Sequence, residues 1–180
     1  MGKMGKMGIY VENDIKKKEN MILQGVSSES TMDSRGRFQL PAAILQEIPA
    51  GSDGRFIIKR SPEKCLTLYP INTWNRMKEK INKVNTFNTE MRRAVRYFLA
   101  AATEVKLDAK NRLLIPSSLQ DYAHLDKNLL IVTLNASIEI WNPKLYDGEL
   151  EDPEIPKSAA YNELTDKVFE DGKFFDDDVS

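Results

Sequence analysis

Cysteine and histidine are almost missing from this chain, with one of each in 180 residues. A lone Cys65 excludes an intrachain disulfide framework, and a single His124 leaves too few ligands for a protein zinc site. A reducing cytosol is the expected compartment. Long apolar runs are missing too: none approaches the ~20 residues of a membrane-spanning helix. The opening residues, Met1-Gly2-Lys3-Met4-Gly5-Lys6-Met7, carry cations with no apolar stretch behind them, which is not the pattern of a secretory signal. There is no glycine-rich phosphate loop, and the carboxylates are scattered among turns. Acid–base or nucleophilic catalysis therefore has no constellation to rest on. The expectation is a protein that is not an enzyme, with no metal, cofactor or small-molecule substrate.

Net charge is also close to absent, at −1, but it is unevenly spread. Residues 151–180 hold 10 acidic and 3 basic side chains, leaving 17 acidic and 23 basic in residues 1–150. A basic body with an acidic tail suits a polyanion-binding domain, although a solvated surface is the ordinary explanation of a charge excess.

What the chain does have is a repeat. Asp33-Ser34-Arg35-Gly36-Arg37 returns 75 residues later as Asp108-Ala109-Lys110-Asn111-Arg112. Each copy follows a strand-like run and leads through apolar residues into proline: Phe38, Leu40 and Pro41, then Leu113, Leu114, Ile115 and Pro116. One Asp-x-x-x-Arg means little; two in the same strand, turn, strand, proline, helix order indicate a tandem duplication. The leading Asp is placed to accept from backbone N–H groups two or three residues on. Gly36 and Asn111 share one position and are residue types that tolerate positive φ. The closing Arg is near enough to pair with the Asp, while Arg35 or Lys110 must point outward. Two cations on a tight loop suit phosphate binding.

Each repeat core spans only about 45 residues, near the limit for independent folding, so the copies should share one core. Residues 22–32 read as one or two strands interrupted by Ser27-Ser28-Glu29-Ser30. Phe38-Gln39-Leu40 alternates as a half-buried strand does, and Pro41 suits the first position of a helix over 42–48. Strands at 55–60 and 65–69 form a hairpin through Ser61-Pro62-Glu63-Lys64. The second repeat predicts strands at 103–107 and 112–115, a helix at 117–122, and strands at 129–134 and 138–141. Between the repeats lie two helices. Asn72 is the expected cap of the first, which carries Trp74, Met77, Ile81 and Val84. Asn88 caps the second, where Met91, Val95, Phe98 and Ala102 form an apolar stripe opposite Arg92, Arg93 and Arg96. Pro143 opens a short helix with Leu145 and Tyr146. The tail, including Phe174-Phe175-Asp176-Asp177-Asp178, is poor in apolar residues apart from a helix at 159–169. Residues 1–20, with Lys16-Lys17-Lys18, read as a disordered arm.

These residues resemble the MraZ family, bacterial transcriptional regulators built from two SpoVT-AbrB type repeats. The likeness rests on Asp33 to Arg37 with Pro41, Cys65-Leu66-Thr67-Leu68-Tyr69-Pro70, Arg92-Arg93-Ala94-Val95-Arg96 and Thr103-Glu104 before Leu107-Asp108. Arg112-Leu113-Leu114-Ile115-Pro116 and Glu139-Ile140-Trp141 complete it. It covers the middle three-quarters of the chain and leaves out the arm and the tail. The resemblance implies an α+β fold with a mainly β core: a duplicated, swapped-hairpin AbrB-like barrel with pseudo-twofold symmetry. Its parts would be repeat 1 at 21–71, inter-repeat helices at 72–101, repeat 2 at 102–150 and an acidic tail at 151–180. It further implies a homo-oligomeric ring on double-stranded DNA, at direct repeats in the promoter of the division and cell-wall gene cluster, in the cytoplasm at the nucleoid. Matched to the family motif, Arg37 and Arg112 would contact DNA, with Asp33 and Asp108 orienting them. Asn111 departs from the glycine usual in the second copy.

The plainer account of each Asp–Arg pair is an ion pair that fixes a turn, and an exposed pair adds little stability. That does not explain a second cation in both copies. Arg pairs bidentately with phosphate or with guanine O6 and N7, so Arg37 is assigned to DNA, with a structural pair a stronger rival at Arg112. Arg35 and Lys110 are assigned to phosphates, which position without reading sequence. Arg92, Arg93 and Arg96 are expected on a solvated face or at a subunit contact, and Arg55, Lys59 and Arg60 beside the basic surface. Tyr69, Trp74 and Trp141 read as core or interface aromatics, and Cys65 and His124 as structural. Two other classes compete: an antitoxin-like protein-interaction module whose tail wraps a partner, and a structural ring with no specific DNA target.

Overall fold

The computed structural model describes residues 27–49, 51–134 and 137–169. The arm at 1–20, the strand start at 22–26 and Phe174 to Asp178 lie outside the described residues. Residues up to Pro143 make one compact unit and those from Lys144 a second.

In the first unit the elements run β1 (Ser27–Thr31), β2 (Arg37–Gln39), α1 (Ala42–Glu47), β3 (Arg55–Arg60), β4 (Leu66–Pro70), α2 (Ile71–Asn82) and α3 (Thr89–Leu99). They continue as β5 (Thr103–Lys106), β6 (Arg112–Leu114), α4 (Ser117–Tyr122), β7 (Asn128–Leu134) and β8 (Ser137–Trp141). Two sheets result. One has six strands in the order β1-β7-β8-β4-β3-β5; the other is the pair β2-β6. All pairings are antiparallel.

The order has a hidden symmetry. Exchanging each strand for its repeat equivalent (β1 with β5, β3 with β7, β4 with β8) turns the six-strand order into its own reverse. Equivalent residues also meet at the centre of both sheets: Thr67 faces Glu139, and Phe38 faces Leu113. Neither repeat keeps its strands to itself. β1 of the first pairs with β7 of the second, and β5 of the second with β3 of the first. Two ~45-residue units could not each bury a core, and this exchange gives them a common one.

Alternation along the strands supplies that core. Phe56 and Ile58 point inward with Leu66, Leu68, Leu129, Ile131, Ile138 and Ile140. The β2-β6 pair adds Phe38 and Leu113, and α1 and α4 add Ile44 and Leu119. Ile57, on the opposite face of β3, joins Ile71 and Trp74 in a smaller cluster. There Trp74 stacks on Phe98 at 6.0 Å and meets Tyr69 at 5.9 Å. Trp141 is buried as well.

Several local expectations need correction. The polar run Ser27-Ser28-Glu29-Ser30 does not interrupt a strand; it lies within β1, because register with β7 outweighs its weak β-propensity. Asn72 does not cap α2. The helix begins at Ile71 with Pro70 in the cap position, since the proline ring closing β4 already starts the turn. Pro41 and Pro116 likewise sit one place before the first helical residue. Asn88 does cap α3, its side chain accepting from the N–H groups of Glu90 and Met91. The apolar stripe of α3 is only half covered: Phe98 and Ala102 pack on the small cluster, while Met91 is exposed.

Helix α5 (Pro143–Leu150) begins at the proline that ends the first unit; in the second unit a 3-10 turn spans Ile155–Lys157, and α6 covers Ala159–Phe169. The Ser158 hydroxyl accepts from the Tyr161 N–H and donates to the Ile155 carbonyl, which sets the start of α6.

Candidate nucleic-acid interface

The two Asp-x-x-x-Arg turns are built alike. In the first, Asp33 Oδ1 accepts from the backbone N–H groups of Arg35 and Arg37, at 2.9 and 3.0 Å. Its Oδ2 receives Arg37 Nε and Nη2, both at 2.9 Å. In the second, Asp108 Oδ1 accepts from Lys110 and Arg112 N–H at 2.8 and 3.0 Å, and Oδ2 from Arg112 Nε and Nη2 at 2.9 and 2.7 Å. Backbone bonds close each loop: Asp33 N–H to the Arg37 carbonyl, and Asp108 N–H to that of Arg112. Gly36 and Asn111 both take positive φ, +80° and +57°. Asparagine thus does the work of glycine, because αL is open to its short polar side chain.

Four donors on one carboxylate stabilise its charged form. The Arg112 side chain, then the backbone N–H of Arg112, holds Asp108 down at about 2. Asp33 is lowered as well, first by the backbone N–H of Arg37. The Asp108 bond raises Arg112, and the charge of Asp33 adds to this across the two turns.

Register then decides direction. Arg37 is opposite Leu114 and Arg112 opposite Gln39, with Phe38 opposite Leu113 between them. Residues directly across an antiparallel pair share a face, so Arg37, Gln39, Arg112 and Leu114 look one way while Phe38 and Leu113 look into the core. The two arginines are diagonal neighbours, for which the separation is roughly 7–8 Å. Their side chains are 31% and 28% exposed, so neither is buried. Each guanidinium gives its Nε–Nη2 edge to an aspartate. Among the described residues neither has an acceptor for Nη1. Arg35 and Lys110 are exposed at the tips of the turns. What results is one solvent-facing surface with two oriented forks, and an exposed cation on each of the two turns.

Other candidate residues fall elsewhere. Lys59 does not flank this surface: it is 6% exposed, its Nζ donating to the Arg60 carbonyl and lying 4.6 Å from the Phe98 ring centre. Its alternate position on β3 turns it toward the small cluster, and burial lowers its pKa. Arg55 pairs with Glu104 on the neighbouring strand. Arg60 lies over Tyr122, with Lys64 near the same ring. Arg92 donates to the carbonyls of Thr86 and Phe87 and to the Thr89 hydroxyl, tying down the start of α3. Cys65 is fully buried, its thiol pushed up to about 12 by that burial. His124 is exposed at the end of α4, where its carbonyl accepts from Asn142.

Sequence reasoning missed Gln120. Its side chain lies over Gly36 and donates to the Ile115 carbonyl at 2.6 Å. Nothing around it in the sequence marks it, because the contact joins residues 84 positions apart and depends on the inter-repeat pairing.

Against known proteins, the family model described as "MraZ protein, putative antitoxin-like" matches residues 22–97 and again 98–168. The chain belongs to the MraZ family. Among its curated relatives, a transcriptional regulator MraZ of Cytophaga hutchinsonii is 34% identical over 139 residues, spanning 77% of this chain and 89% of that protein. The regulator MraZ of Halothermothrix orenii is 34% identical over 133 residues, 74% of this chain and 87% of its own length. That of Carboxydothermus hydrogenoformans is 33% identical over 138 residues, 77% and 91%. These MraZ relatives are named as regulators rather than as enzymes. Among the described residues no helix is long and apolar enough to cross a membrane, and no group of three or more His, Cys, Asp or Glu could hold a metal ion.

Proposed function

We propose that this MraZ family member is a sequence-specific transcriptional regulator that grips double-stranded DNA with both turns at once. The observation that carries the reading is the β2-β6 register, which sets Arg37 and Arg112 on one solvent face with a fork edge of each left over. Arg37 and Arg112 contact the duplex, Arg35 and Lys110 hold phosphates, and Asp33 and Asp108 keep the guanidiniums aimed. The repeats at 21–71 and 102–150 form a swapped-hairpin AbrB-like barrel, which the palindromic strand order supports. Its targets are direct repeats in the promoter of the division and cell-wall gene cluster, at the nucleoid.

The protein acts as a homo-oligomeric ring. Support comes from apolar side chains left open on and beside α3: Phe87 is 93% exposed, Tyr97 59%, Met91 42% and Leu99 37%. Adjacent protomers would each take one copy of a direct repeat, so weak contacts add through effective concentration.

Alanine at Arg37 tests the core of this. A gel-shift titration against a duplex selected from random DNA by the wild-type chain should show operator affinity reduced at least about tenfold. The thermal midpoint should stay nearly unchanged, since the pair is exposed. Wild-type affinity in that variant would remove the assignment.

The family description favours a second reading, an antitoxin-like interaction module whose acidic residues 151–180 bind a basic protein. Co-purification of a small basic partner that is lost on deleting 151–180 would support it over the first.

A further inference from the structure

The two turns match bond for bond, yet they are not supported alike. The backbone tie between repeats is itself matched: the N–H of Leu40 donates to the Asn111 carbonyl at 3.1 Å, and the N–H of Ile115 to the Gly36 carbonyl at 2.9 Å, which brings the strand after β6 against the first turn. Over that contact lies Gln120 of α4, its amide donating to the carbonyl of the same Ile115. Gly36 is buried, and a Cβ placed on it would fall on Gln120 Nε2 and stand 3.0 Å from the Ile115 oxygen. Glycine at this position therefore does more than allow a φ of +80°. It leaves the space that the Gln120 amide fills.

Seventy-five residues away the same two positions hold Asn111 and Leu45. There the turn residue carries a side chain, and the helical partner on α1 is an aliphatic one packed against the core. A glycine covered by the long Gln120 amide has been exchanged for an asparagine, with its own short amide, beside an aliphatic side chain. We infer that Gln120 is a positioning residue for the first DNA-gripping turn. It locks Gly36 and hence the backbone of Arg37 from across the repeat boundary, so that Arg37 is the sequence-reading arginine, while Arg112 is held by its own ion pair without such an amide. This rests on the DNA reading above, and deepens it by making the two half-surfaces unequal.

The physical reason is preorganisation. A fork that must meet two acceptors on a base edge loses affinity when its backbone wanders, whereas a cation near a phosphate tolerates such motion. Losing the Gln120 bond should thus weaken discrimination more than binding itself.

Two measurements test it. Amide hydrogen exchange on the free full-length chain reads the turns without DNA. Gln120→Leu, which installs the residue found at position 45, should speed exchange at Gly36 and Arg37 and leave Asn111 and Arg112 at wild-type rates. Equal acceleration at both turns, as general destabilisation would produce, overturns the proposal, and so does no change at either.

The second is a double-mutant cycle by fluorescence anisotropy, using a duplex selected by the wild-type chain and a scrambled duplex of the same composition. Gly36→Asn should cost about tenfold on the selected duplex in the wild-type background and about threefold or less with Gln120→Leu present. Binding to the scrambled duplex should change little in any variant. Equal losses from Gly36→Asn in both backgrounds would sink the coupling. A wild-type chain that bound both duplexes alike would instead sink the DNA reading, while hydrogen exchange would still decide whether Gln120 holds the turn.

Discussion

Aspartate at the head of each turn is the residue on which the surface depends. Its carboxylate joins the arginine fork to the loop backbone, so its charge state and the aim of the guanidinium are linked. Folding lowers the pKa of Asp33 and Asp108, the latter to about 2. A depressed pKa stabilises the fold fully above the ordinary aspartate value of 3.8 and loses that contribution as pH falls toward 2. Thermal midpoints measured between pH 5 and pH 2 should therefore fall through this window. The double variant Asp33→Asn, Asp108→Asn should start lower at pH 5 and show a shallower fall. A slope unchanged from wild type would mean that other carboxylates dominate the acid limb.

Among the elements, β2 and β6 are the shortest strands and the most consequential. Three residues each, they carry one buried residue between two that face solvent. Phe38 and Leu113 meet where the repeats cross, both 1% exposed. Replacing Phe38 by Ala should cost about 3–5 kcal/mol, the usual range for an aromatic removed from a packed core. Chemical denaturation should show one cooperative transition moved to lower denaturant. Two separated transitions would show that the repeats do not share a core. The helix at 117–122 and the cap at Asn88 were legible from local chemistry alone. The cap of α2 was not, because Pro70 ends a strand and starts a helix at once, a role set by β4 lying in the sheet.

For the whole molecule, the proposed ring would seat a neighbouring subunit on the apolar side chains left open on α3. Placing Glu at Met91 and Leu99 puts charge on the exposed apolar face without entering the core. Light scattering after size exclusion should then report a smaller particle than wild type, and affinity for a two-copy operator should fall toward that for one copy. An unchanged particle mass would place the subunit contact elsewhere. DNA binding by the full-length protein should also weaken steeply with added salt, because each neutralised phosphate releases counterions.

The sequence alone determined the duplication, both turns and the boundaries of most helices. All of these are local: a carboxylate finds N–H groups two and four residues away whatever the rest of the chain does. Only the tertiary structure decided that strands are exchanged between repeats, that both arginines emerge on one face, that Lys59 turns inward, and that Gln120 reaches Gly36. Those outcomes depend on register between segments 45 to 105 residues apart (Ile58 with Thr103, Ser27 with Val132), and in a strand a shift of one residue reverses every side chain. No local pattern carries that information; the shared core does.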